Sequence, residues 1–320
     1  MVVIEGENSD WANVKSGIPQ GSVLGPLLFV AYINDMPKCI TSLCNIFADD
    51  AKVYRKIQNI NDTTSLQHDL NNMTDWSQKW QLPFNETKCK CLHFGRTNQR
   101  ENYTMNNHTL ESVTEEKDLG VIIDSSLKFH KHTAIARKKA NSIPGIIKKT
   151  FINLDSTTLP LLYKSMVRPH LEYGNVIWGP HFKVDQQDIE KVQKRATKLI
   201  SNLKDLPYKQ RLEILKLPSL MYRRKRGDML HTYKIITKKV NINRDRFFTL
   251  NKMPTRGHRY KLSKPRSNGL VRSQSFSHRI INDWNSLHDD VVKVETVVDF
   301  KKKIDEHWKY DQYQTPFDNI

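Results

Sequence analysis

Two neighbouring carboxylates, Asp49 and Asp50, stand between the apolar runs Cys44-Asn45-Ile46-Phe47-Ala48 and Ala51-Lys52-Val53-Tyr54. Adjacent like charges disfavour joint ionisation. A divalent cation removes that conflict, because magnesium takes hard oxygen ligands. A polar turn between strands is the competing reading, since Asp is an ordinary turn residue. The flanking patterns predict two strands joined at the acidic pair, with both carboxylates at a hairpin tip. Upstream lies Ser16-Gly17-Ile18-Pro19-Gln20-Gly21-Ser22, running into Leu24-Gly25-Pro26-Leu27-Leu28-Phe29. Gly17 and Gly21 let the backbone approach a ligand closely, and Gln20 carries both a donor and an acceptor.

The elements that position these groups follow from spacing. Gly25-Pro26 starts a helix carrying Leu27, Leu28, Ala31, Tyr32 and Asp35, stopped by Pro37. Residues 63–81 form a second helix, with Leu66, Leu70, Met73, Ser77 and Trp80 on one flank and Trp76 beside them. A strand follows Asn85-Glu86-Thr87-Lys88 and ends at Gly95, and the segments 103–107 and 119–124 complete a small sheet. Cys89, Cys91 and His93 alternate on one face of that strand, which favours a reduced structural role over a metal site. Beyond 126 the chain turns helical: 130–150, a helix capped by Asp155-Ser156 and broken over Pro169-His170-Leu171-Glu172-Tyr173-Gly174, then 185–203, then a helix from Leu217. Residues 251–275 read as a basic loop, followed by terminal helices near 276–287 and 296–308.

Charge divides the chain. Residues 1–126 hold 11 Lys and Arg against 16 Asp and Glu, whereas residues 127–320 hold 40 against 18. An acidic part followed by a strongly basic one points to a bound polyanion. The run Arg223-Arg224-Lys225-Arg226 is either a nuclear-localisation signal or, the preferred reading, phosphate-contacting surface. Four cysteines without zinc spacing, no signal peptide and no membrane-length apolar run suggest an intracellular chain, nuclear or cytoplasmic.

The two N-terminal motifs, with Tyr32-Ile33-Asn34-Asp35, Leu92-His93-Phe94-Gly95, Leu119-Gly120-Val121, the segment from Tyr163 to Trp178, and Trp284-Asn285-Ser286-Leu287, resemble the reverse transcriptases of jockey-like non-LTR (LINE-type) retrotransposons. The resemblance implies an α+β chain: a partial polymerase palm over 1–126, an all-helical thumb-like region over 127–216, and a basic helical C-terminal region over 217–320. It implies RNA-directed DNA polymerisation, the addition of dNTPs to a primer 3′-hydroxyl on an RNA template–DNA primer duplex. Asp49 becomes the direct ligand of Mg2+ (Mn2+ as an alternative), with Asp50 supporting it or holding a second ion. Lys88 becomes the acid that protonates pyrophosphate. Gly17, Pro19, Gln20 and Gly21 meet template and incoming nucleotide, and Gly120 lies against the primer.

The family's first metal aspartate belongs to a strand upstream of the Gly-x-Pro-Gln-Gly turn, and only fifteen residues precede Ser16 here. The expectation is therefore a C-terminal fragment beginning in mid-palm, inactive alone unless the missing region is supplied in trans. The alternatives are a non-catalytic nucleic-acid-binding remnant and a decayed element fragment.

Overall fold

The computed structural model describes residues 3–4, 6–10, 17, 21–251 and 257–317. Pro19 and Gln20 lie outside them. The chain is α+β and forms two compact units, Met1–Thr114 and Glu115–Ile320. The division falls before the hairpin at 115–124, not after it at 126, because Val121 is buried in the core of the second unit.

The first unit runs β1 (Val3–Ile4), β2 (Glu7–Asn8), α1 (Leu24–Ile33), a 3-10 turn at Met36–Cys39, β3 (Leu43–Phe47), β4 (Asp50–Tyr54) and α2 (Ile60–Lys79). After a 3-10 turn at Glu86–Lys88 come β5 (Lys90–Leu92), β6 (Thr104–Met105), β7 (His108–Thr109) and β8 (Glu111–Val113). The expected single small sheet does not form among the described residues. The strands instead make separate two-stranded ladders, β1 with β2, β3 with β4, β6 with β7, and the parallel pair β5 and β8. Local turns explain this. Asn106 and Asn107 both take left-handed backbone (φ 49° and 62°), the geometry of a tight hairpin that returns the chain on itself.

Helix α2 organises this unit. Its start is a reciprocal cap in which Asn59 Oδ1 accepts from the Asp62 amide and Asp62 accepts from the Asn59 amide. Leu70, Met73 and Trp76 are buried against Ile33, Met36, Tyr103, Met105 and Leu110. The same face carries the fully buried Asp69, which sequence patterning did not single out. Its carboxylate accepts from the amides of Thr41 (2.9 Å) and Ser42 (2.8 Å) and from the Thr41 hydroxyl, with Arg55 Nη1 at 3.4 Å. Burial alone raises this carboxyl, but the Ser42 and Thr41 hydrogen bonds prevail and hold it below the ordinary value. Asp69 thereby ties α2 to the root of β3.

Helix α1 departs from expectation. Leu24-Gly25-Pro26-Leu27-Leu28-Phe29-Val30-Ala31-Tyr32-Ile33 is apolar all round, a pattern that ordinarily means burial. Only the stripe Gly25, Phe29 and Ile33 turns inward, while Leu27 is 65% exposed and Val30 52%.

The second unit begins with β9 (Glu115–Asp118) and β10 (Val121–Asp124). Then come α3 (His130–Thr150), α4 (Thr158–Leu162), a π-helical turn (Tyr163–Val167), α5 (Arg168–Glu172), α6 (Asn175–Trp178) and α7 (Lys183–Ala196). These lead to α8 (Tyr208–Ile214), α9 (Leu220–Ile236), the hairpin β11 (Thr249–Leu250) and β12 (Leu262–Ser263), α10 (Leu270–Gln274), α11 (Phe276–Arg279), α12 (Ile281–Asn285), α13 (Asp289–Val292) and α14 (Val297–His307). Pro169 does not break its helix. It occupies the first turn of α5, directly after the π-helical turn, which absorbs the missing amide. The break comes later, at Gly174 with φ 67°.

Two cores share this unit. One joins Ala140, Leu159, Val167, Leu171, Ile189, Val192 and Leu212. The other joins Tyr233, Ile281, Trp284, Phe300 and Ile304, with the Tyr233 and Phe300 rings stacked at 4.2 Å. Helix α9 spans both, placing Leu220 in the first and Met229 and Tyr233 in the second.

Asp69→Asn should cost about 1–3 kcal/mol at pH 7, because buried donors lose their charged acceptor. The folded carboxyl is depressed, so its contribution is complete above the unfolded value of about 3.9 and is lost as pH falls through the lower folded value. Urea unfolding of wild type and variant should thus show their gap closing as pH falls below about 4. A constant gap across that window would contradict the assignment.

Candidate metal and nucleic-acid site

The acidic pair sits where the strands predict. Phe47 pairs with Asp50 and Leu43 with Tyr54, leaving Ala48-Asp49 as a two-residue turn with Ala48 in left-handed backbone (φ 50°). Asp49 is thus in the turn proper, and Asp50 is the first rung of the ladder. Both are exposed, and among the described residues neither carboxylate has a hydrogen-bond or ion-pair partner. Their oxygens are open to a cation, which is the donor chemistry magnesium requires. Among the described residues no three His, Cys, Asp or Glu side chains converge on a metal position. The pair therefore suits one ion with most of its coordination supplied from elsewhere.

The other expected site residues are dispersed. Gly17 and Gly21 are exposed and take φ of 96° and 82°, so glycine is required there by the backbone and not by a neighbour. Lys88 is exposed at the end of the turn before β5, on a ladder separate from β3–β4, and no described contact joins it to Asp49 or Asp50. Cys91 Sγ lies 3.4 Å from His93 Nε2. All four cysteines are free, and burial pushes each thiol up.

Gly120 has a defined neighbourhood. Leu119 (φ 43°) and Gly120 (φ 85°) form the two-residue turn between β9 and β10. The Tyr173 hydroxyl donates to the Leu119 carbonyl at 2.8 Å, and a Cβ on Gly120 would stand 3.2 Å from the Tyr173 ring. Trp178 Nε1 donates to the Tyr173 carbonyl at 2.6 Å, and the edge of its ring meets His132. The Ile122 amide donates to His132 Nδ1, so the hairpin is fixed at tip and stem. Tyr173 was absent from the sequence-derived residues. Its only signal was the adjoining Gly174, whose left-handed backbone turns the ring towards the hairpin.

The basic surface is not where the tetrabasic run suggested. Arg223 pairs with Glu172 (Nη2 to Oε2, 2.8 Å), Arg226 with Asp305 (2.7 Å), and Lys225 with Asp283 (3.1 Å) over the Trp308 ring. The Arg224 guanidinium is buried and lowered by desolvation, with Glu190 the leading charge opposing that effect. These cations hold the fold together and leave little for phosphate. On α3, Arg137 is taken by Asp188 and Lys131 by Glu115, while Lys138, Lys139, Lys148 and Lys149 are exposed without carboxylate partners.

Residues 1–133 match the family model for reverse transcriptase (RNA-dependent DNA polymerase). The chain is 29% identical over 59% of its length to a probable RNA-directed DNA polymerase from transposon X-element of Drosophila melanogaster, covering 22% of that protein. It is 30% identical over 62% of its length to the RNA-directed DNA polymerase from mobile element jockey of Drosophila funebris, covering 23% of that protein. The chain is thus similar to the reverse transcriptases of jockey-like non-LTR retrotransposons, and it spans under a quarter of the length of these curated relatives. No solved structure matches it.

Gly120→Ala should destabilise the protein by about 1 kcal/mol or more, from the positive φ and the tight approach to Tyr173 together. In a Tyr173→Ala background only the backbone part of that cost should remain. A double-mutant cycle by urea unfolding checks this, and strict additivity would mean that the ring does not press on the turn.

Proposed function

We propose that this chain is part of an RNA-directed DNA polymerase, contributing the acidic palm hairpin and the basic helices that hold a template–primer duplex. The observation that carries the reading is the β3–β4 hairpin, which projects two unpartnered carboxylates from a rigid turn within the region that matches the reverse transcriptase model. Asp49, seconded by Asp50, would hold Mg2+, with Mn2+ as a substitute. Bound there, the ion supplies Lewis-acid stabilisation to phosphoryl oxygens.

The chain's own groups do the rest. Asp69 and Arg55 anchor the root of the hairpin, so the carboxylates are presented on a braced element. Gly17, Pro19, Gln20 and Gly21 approach template and dNTP, and the Leu119-Gly120 turn approaches the primer. Lys88 is the proton donor to pyrophosphate, a role that requires it to reach the hairpin tip. Unpaired lysines of α3 grip the duplex backbone electrostatically. The four thiols suit a reducing compartment, and we place the chain inside the cell.

A two-ion site needs more carboxylate oxygens than this pair offers. No described residue supplies a third beside it. We assign that ligand to polypeptide outside the described residues, and the chain by itself is then a duplex binder without polymerase activity. The same donor set favours the second reading, a non-catalytic nucleic-acid-binding remnant.

Primer extension on poly(rA)/oligo(dT) with Mg2+ should give no incorporation by the purified chain. Adding a polypeptide that carries the missing carboxylate should restore it, and Asp49→Ala should abolish the restored activity by at least ~1,000-fold, the range expected when a principal charge-stabilising group is lost. Asp49-dependent extension by the chain alone would show that the metal site is complete without a further ligand. Absence of duplex binding would remove both readings.

A further inference from the structure

The cations of α9 are consumed internally, but several that follow it have no carboxylate partner among the described residues. The described residues 238–251 and 257–272 contain nine Lys and Arg against a single acid, Asp245. Asp245 pairs with its neighbour Arg244. Lys238, Lys239, Arg246, Arg259 and Arg266 are exposed and have no carboxylate partner among the described residues. The acids of this half are committed elsewhere: Asp283 to Lys225, Asp305 to Arg226, Asp289 to Lys293. A one-signed surface of this density opposes its own compaction unless a polyanion neutralises it.

The surface also has a shape. The loop leaving α9, residues 238–245, encloses an open cavity of about 580 Å³. Lys238, Lys239, Asn241, Asn243, Arg244 and Asp245 are among the residues that line it. Asn243 accepts from the Asp245 amide through its side-chain carbonyl oxygen, and no hydrogen bond from its NH2 group is formed among the described residues. Phe247 is exposed just past the loop. Cations for a backbone, amides for base edges and an exposed ring are the equipment of single-strand binding. The irregular loop offers no long helix for a major groove.

We propose that this surface binds single-stranded RNA, with the cavity at 238–245 receiving a nucleotide. It is separate in sequence and in hydrophobic core from the α3 lysines assigned to the duplex. The choice of RNA over DNA rests on the polymerase reading, in which RNA is the template; the single-stranded assignment rests on the surface itself.

The test is fluorescence anisotropy with a labelled mixed-sequence 15-mer RNA, a DNA 15-mer of the same sequence and an RNA–DNA duplex, without metal or dNTP, so a chain that cannot polymerise is tested equally well. The quadruple variant Lys238→Gln, Lys239→Gln, Arg246→Gln, Arg266→Gln should bind the single strand at least tenfold more weakly. Its slope of log K against log salt should fall by about 3, at roughly 0.7 per lost phosphate contact. The variant Lys138→Gln, Lys139→Gln, Lys148→Gln, Lys149→Gln, with the same charge removed, should lose mainly duplex affinity. Equal losses in both variants, no loss, or loss by the first variant for duplex alone would overturn the proposal. Preference for the DNA 15-mer over the RNA would overturn the choice of RNA. Should the first variant fail to fold, acetylation footprinting of the wild type decides: RNA should protect Lys238 and Lys239, and unchanged labelling would overturn the assignment.

Discussion

The second unit depends on the neutralisation of one helix. Helix α9 crosses two cores while carrying four consecutive cations, and burying such a helix is possible only if carboxylates arrive from several directions. They come from α5 (Glu172), α12 (Asp283) and α14 (Asp305), which pair with Arg223, Lys225 and Arg226, while Glu190 of α7 acts on the buried Arg224 only as a nearby charge, with no hydrogen bond to its Nη1 or Nη2. Asp228, on α9 itself, is met in turn by both ends of the Arg279 guanidinium at 2.8 and 2.9 Å. Glu190 is the most demanding member. Burial pushes its carboxyl up, against hydrogen bonds from Tyr208 and the Leu220 amide. Each pair fixes the angle of one helix against α9, so apolar burial sets compactness and the charges set register.

The first unit uses the same device on a smaller scale. Asp69 is buried and surrounded by donors, whereas Asp49 and Asp50 are exposed and idle. Acids that build the fold are saturated, and acids suited to chemistry are left open. That contrast separates the two roles better than residue type does, and it separates the cations too: the α9 run is spent on structure, whereas Lys238, Lys239 and Arg246 have no carboxylate partner among the described residues.

Local features were legible in the sequence. The Asp49-Asp50 hairpin, the α2 stripe and the switch to helices after the 115–124 hairpin follow from alternation, periodicity and turn residues. What stayed hidden depends on partners far along the chain. Nothing near residue 223 announces Glu172 or Asp305, so the run looked like solvated charge. Asp69 on an apolar face looked like an exception until its acceptors' partners, Thr41 and Ser42, came alongside. Pro169 looked like a stop because a π-helical turn has no simple sequence signature. The separate ladders likewise reflect left-handed turn residues at 106–107 and 119–120, whose effect is on pairing and not on strand propensity.

Helix α1 sets how the protein behaves in solution. A net charge of +17 gives the molecules a mutual repulsion that acts at a distance, while the outward leucines and valines of α1 are adhesive at contact. Salt removes the first and leaves the second, since the screening length is only about 8 Å at 0.15 M. Colloidal stability is therefore governed by ionic strength in the opposite sense to most basic proteins handled with added salt. The buffer that screens this repulsion most fully is the one in which the chain most readily meets itself.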